Sequence, residues 1–98
     1  MKMKFEWDIN KAELNIKNHG VSFEESEEVF FDEFALDVYD DSHSDFEEPR
    51  FQVLGLTIKG VLLVVYTVRY KETYRIISAR KATNSEENSY WNERRKYE

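Results

Sequence analysis

The sequence predicts an α+β domain: a small antiparallel sheet of three to four strands with two N-terminal helices and one C-terminal helix. Three observations predict it. Apolar and β-branched residues concentrate between positions 50 and 81, in three runs separated by short polar turns. Two capping boxes, Ser22 with Glu25 and Thr83 with Glu86, mark helix starts on either side of those runs. The chain has 98 residues and is 15% aromatic, which suits one domain with a small packed core.

The elements follow in the order β-α-α-β-β-β-α. "FEW" (5–7) alternates apolar and polar and reads as a short first strand. Asp8 is an N-cap, Ile9, Ala12 and Ile16 recur at helical spacing, and Gly20 after His19 is a stop, so the first helix spans about 8–19. The second helix opens at Ser22 and ends near Asp32. Four glutamates sit in its first turns, where the helix dipole favours them, and Phe23, Val29 and Phe30 form its buried side. "ALDVYD" (35–40) could add one short strand, taking the antiparallel meander from three strands to four. "RFQVLGLTI" (50–58) is the next, with a bulge or bend expected at Gly55. Lys59 and Gly60 make a hairpin turn into "GVLLVVYTVRY" (60–70), whose Val and Leu content marks a central strand. "YRIISARK" (74–81) pairs with it. The third helix spans about 84–97, with Tyr90, Trp91 and Tyr97 on one side and Arg94, Arg95 and Lys96 in its last turn.

Composition excludes several function classes. Without cysteine there is neither a disulfide framework nor a thiolate metal site. The N-terminus lacks the apolar core of a signal peptide, and the longest apolar run, "VLLVVY", is too short to span a bilayer, so a cytoplasmic protein is expected. No P-loop, G-x-G-x-x-G, H-E-x-x-H or G-x-S-x-G motif occurs. The net charge of −6 hides a bipolar chain. Residues 1–49 carry 4 basic and 15 acidic side chains, residues 50–98 carry 10 and 5, and no Lys or Arg occurs from Gly20 to Pro49. The basic second half keeps a polyanionic partner open, because local potential outweighs the sum.

The arginines of "YRIISARKAT" (74–83) stand among apolar strand residues. Strict alternation puts Arg80, Ser78 and Ile76 on one face and Arg75, Ile77 and Ala79 on the other. A turn of two or four residues would bring Arg69 and Thr67 to the Arg80 face, with Arg50 near the same rim. Arg69, Ser78 and Arg80 are then expected to converge, and converging guanidinium forks suit a phosphate or carboxylate. On spacing alone, pairing with the chain's own acids is the readier account of such residues, Arg75 and Arg94 above all. His19 fits a helix C-terminal cap. His43 lies in the polar loop "DDSHSDFEEPR" (40–50), which is either plain solvated chain or brings His43, Ser44 and Glu48 to the mouth of a site. Its five acids lack the EF-hand spacing, and no metal is expected.

Taken in order, "FEWD", "KAELNIKNHGVSFEES", "HSDFEEPRFQVLG", "TVRY" and "RIISARKATNSEENSY" resemble the BrnT family of toxins from bacterial type II toxin–antitoxin systems, over about residues 5–90. The resemblance implies a RelE-like fold and a ribonuclease without cofactor or metal that slows translation and growth. It also implies a BrnA-type antitoxin partner, with DNA engaged only through that antitoxin. It implies catalytic roles for Arg69 in T-x-R, Ser78 and Arg80 in "ISAR", and His43 and Glu48 in the loop's H-S…E-x-R pattern; either of the last two is the general base. Arg50, Lys71 and Lys81 are the expected RNA-binding cations. Pro49 stands before Arg50 where the family often has a charged residue. A non-catalytic module, whose acidic stretch 24–48 holds a basic partner and aids transcriptional autoregulation, is the alternative expectation.

Overall fold

The computed structural model describes residues 3–38 and 49–98. The elements are β1 (Lys4–Glu6), α1 (Ile9–His19), α2 (Phe23–Ser26) running into a 3₁₀ segment (Glu27–Phe31), β2 (Leu36–Val38), β3 (Phe51–Thr57), β4 (Gly60–Arg69), β5 (Thr73–Lys81) and α3 (Asn84–Arg95). The strands form one sheet in the order β1-β5-β4-β3-β2. The α+β class and three helices agree with expectation. The strand number does not: among the described residues the sheet has five strands, and it is not wholly antiparallel, because β1 pairs with β5 in parallel. That pairing joins residues about 70 positions apart, Lys4 with Thr73 through Glu6 with Arg75, and no local pattern specifies it.

Each face of the sheet has its own core. On one face Val53, Leu62, Val64, Ile76 and Ala79 pack with Ala12, Val21, Phe23 and Val29, from α1 through the 3₁₀ segment. On the other, Leu54, Val61 and Leu63 pack under Tyr90 of α3. Both capping boxes form as the sequence predicts. The second helix is the exception. It gives one α turn and then tightens to 3₁₀, which seats Val29 directly on β3. Gly55 makes this approach possible: a Cβ there would lie 2.7 Å from Val29 Cγ1 and 3.1 Å from its Cα. The glycine therefore serves a close contact, and its register with Leu62 is regular, without the expected bulge.

α1 buries a different stripe from the one its isoleucines suggest. Ala12 and Asn15 face the sheet, while Ile9 and Ile16 are 65% and 52% exposed. β1 pairs with β5 only as far as Arg75, which leaves the β5 edge at Ala79 without a strand partner among the described residues. The Asn15 amide fills that position. Its Nδ2 donates to the Ala79 carbonyl at 2.8 Å and its Oδ1 accepts from the Ala79 amide at 3.1 Å, as a neighbouring strand would. Nδ2 also donates to the Val21 carbonyl at 2.9 Å.

Asp32 joins the two faces. Its carboxylate accepts from the amides of Leu56 and Phe34 and from the Tyr90 hydroxyl, which in turn accepts from Arg94. Burial pushes its pKa up, but the hydrogen bonds and Arg94 outweigh burial and hold it below the usual 3.8. A depressed carboxylate pKa adds stability above the unfolded value, and that stability is lost as pH falls through the folded one. Asp32→Asn is therefore expected to cost about 1–3 kcal/mol near neutral pH. The difference from wild type should narrow below about pH 3.8, as urea melts at neutral and acid pH would show. A constant difference across pH would mean that the charge is not what Asp32 contributes.

Candidate nucleic-acid interface

β4 and β5 position the arginines through two irregularities that the sequence conceals. Their turn has three residues, Tyr70 to Glu72, with Tyr70 and Lys71 at φ 54° and 71°. Further along, Tyr66 pairs with Ile76 but Val65 pairs with Ser78, so Ile77 is an extra residue in β5. An odd turn alone would put Ser78 and Arg80 opposite the Arg69 face; the bulge restores them to it. It does more for Arg75, which pairs with Thr67 and so shares the face of Arg69, Ser78 and Arg80, against strict alternation.

Sharing a face is not converging. Arg80 pairs with Leu63, six positions before Arg69 on β4, which is roughly 20 Å at the usual strand rise. Arg80 sits beside α3, where Nη1 and Nη2 donate to Glu86 at 2.8 and 3.1 Å. Glu86 also accepts from the Thr83 amide and completes the capping box, so Arg80 ties the start of α3 to the sheet. The hydrogen bond from Arg80 is the main cause that holds the Glu86 carboxyl below its ordinary range.

Arg69 and Arg75 converge on Glu6. In register with Glu6, Arg75 donates from Nη1 to Oε2 at 2.7 Å, and Arg69 Nη1 lies 3.9 Å from the same oxygen. No described helix covers this half of the face, since α3 packs over Leu54, Val61 and Leu63 at the other. Val65 and Ser78 lie between the two ends. Thr67 is buried, and its hydroxyl donates to the Pro49 carbonyl at 2.7 Å, which fixes where the chain re-enters the sheet just before Arg50. Proline keeps its carbonyl, so residue 49 serves this contact. Lys71 stands in the turn at the Arg69 end, whereas Lys81 pairs with Leu62 at the far end and on the opposite face. His43, Ser44 and Glu48 lie outside the described residues. His19 is exposed, just before Gly20 at φ 69°.

Glu6 escaped the sequence reading because nothing near residue 6 says which strand it joins. For Arg75 the missed signal was the bulge. A separate hollow of about 550 Å³ lies between β2 and the end of α3, lined by Phe34, Leu36, Arg94 and Tyr97 among others. There the Arg94 guanidinium lies over the Phe34 ring at 4.6 Å and bonds the Tyr90 hydroxyl, a packing role. No described helix is long and apolar enough to cross a membrane. No group of three or more His, Asp or Glu side chains that could hold a metal ion occurs among the described residues.

Residues 7–86 match the family described as ribonuclease toxin, BrnT, of type II toxin–antitoxin system. Among solved structures, the chain is similar to the crystal structure of the Brucella abortus ribonuclease toxin, BrnT, with a TM-score of 0.66 and 25% identity, over 85% of this chain and 100% of that one. No curated protein matches it.

Proposed function

The chain belongs to the BrnT family of ribonuclease toxins of type II toxin–antitoxin systems, and from that premise we propose that it is a metal-independent endoribonuclease whose RNA site is the half of the sheet face around Arg69 and Arg75. The observation that carries this is the convergence of two guanidinium groups on one carboxylate oxygen, on a face that no described helix covers. Two such forks suit the non-bridging oxygens of a phosphodiester.

The reaction needs no outside nucleophile. The RNA 2′-hydroxyl attacks the adjacent phosphorus, the bond to the 5′-oxygen breaks, and the products are a 2′,3′-cyclic phosphate and a 5′-hydroxyl. A base accepts the 2′-hydroxyl proton, and the departing 5′-oxygen gains one. Negative charge grows on the non-bridging oxygens, where Arg69 and Arg75 stabilise it. His43 or Glu48 is the base in this reading, Ser78 a hydrogen-bonding group, and Arg50 and Lys71 contacts to flanking phosphates. Arg80 sets α3 and does not reach the scissile phosphate. Cleavage of cellular RNA would inhibit translation and growth, and a BrnA-type antitoxin would neutralise it.

The test is to induce the chain alone in bacterial cells, following growth and RNA integrity, and to repeat cleavage with purified protein in excess chelator. Growth arrest with RNA cleavage that survives chelation is expected. Cleavage abolished by chelation would overturn metal independence. Unharmed cells and intact RNA, with folded protein, would favour the non-catalytic, partner-binding reading.

A further inference from the structure

The carboxylate of Glu6 has no part in the chemistry above, yet it sits where that chemistry needs an anion. It is the last residue of β1, held beside Arg75 by the parallel register. Its Oε2 lies 2.7 Å from Arg75 and 3.9 Å from Arg69. The three side chains are 35%, 28% and 43% exposed, so water reaches the cluster. Ion pairs this exposed are weak, about 0–1 kcal/mol each. They order the two guanidinium groups without locking them. A carboxylate and a phosphodiester present the same feature to an arginine fork, two oxygens sharing one negative charge.

We propose that Glu6 occupies, in the RNA-free protein, the place of an RNA phosphate between Arg69 and Arg75. It is a positioning residue: it holds the two arginines together against their mutual repulsion, and RNA must displace it to bind. The inference rests on the reading that these arginines bind RNA. It commits to phosphodiester RNA as the incoming ligand, and it gives the pair a built-in competitor that lowers affinity for weakly held RNA.

The experiment measures binding of a short RNA whose 2′-hydroxyls are methylated, so that it binds uncleaved. Glu6→Gln keeps the shape and removes the charge. It should bind this RNA about two- to fivefold more tightly than wild type. Glu13→Gln, the same charge change on the exposed side of α1 across the sheet, should leave affinity unchanged. In an Arg75→Ala background, and separately in Arg69→Ala, the gain from Glu6→Gln should vanish, because the competition runs through those side chains. Thermal melts confirm that each variant folds. A gain that persists in both backgrounds would reduce Glu6 to one more surface charge, and unchanged affinity in Glu6→Gln would also overturn the proposal. Cleavage of unmodified RNA lost in Glu6→Gln at unaltered affinity would make Glu6 a proton acceptor instead. Wild-type cleavage of unmodified RNA tests the ribonuclease reading separately: its absence sinks that reading, while the affinity series still reads Glu6.

Discussion

Arg69→Ala is expected to slow RNA cleavage about 10²–10³-fold, the usual cost of removing one preorganised donor from a developing oxyanion. The melting temperature should hardly move. The side chain is 43% exposed, and ion pairs made at such exposure add little to the fold. Arg80→Ala should do the reverse. It breaks a two-pronged contact to Glu86 at the start of α3, and its main effect should be a lower melting temperature. The pair separates the two ends of the sheet. If Arg80→Ala abolished cleavage in folded protein while Arg69→Ala retained it, the phosphate would bind beside α3, and the assignment made here would fall.

Asn15→Leu carries the largest expected effect on stability. The swap nearly preserves volume but strips the β5 edge of its partner. The amide and carbonyl of Ala79 and the carbonyl of Val21 lose their hydrogen bonds in a buried place. Each buried unsatisfied group costs about 1–3 kcal/mol, so the total should be about 3 kcal/mol or more. For a domain this size that lowers the melting temperature by about 12–24 °C. Hydrogen exchange gives the local readout: the Ala79 amide should lose protection beyond the global loss. A change below about 1 kcal/mol would mean that water or a shifted β1 replaces the side-chain amide.

Local signals specify the structure where the physics is local. Ser22 with Glu25 and Thr83 with Glu86 cap their helices because each motif satisfies backbone donors within four residues. Gly20 ends α1 in the left-handed conformation, and Gly60 turns the β3–β4 hairpin at φ 96°. Local signals do not suffice where a distant element decides. Ile9 and Ile16 have the spacing of a buried stripe, yet the β5 edge rewards a polar amide, and the helix turned Asn15 inward. Gly55 in a strand signals a bulge or bend, but the constraint on it comes from Val29 on another element.

The same division runs through the candidate site. The sequence marked Arg69, Ser78 and Arg80 as chemically unusual residues of a β hairpin, and the family resemblance rested on those blocks. Which arginines meet could not be read from it. Side-chain direction has period two, so one extra residue reverses everything beyond it, and neither the three-residue turn nor the bulge at Ile77 leaves a clear sequence mark. The partner of Arg75 lies 69 positions away, in a strand of three residues. By itself, then, the sequence determined the family, the α+β class, the capped helix starts and the stock of basic residues, because caps, turns and composition act over a few residues. Only the tertiary structure decided that Arg69 meets Arg75 across Glu6 while Arg80 holds α3. Strand order and register are settled by the packing of the whole sheet, and no stretch of the chain contains that information alone.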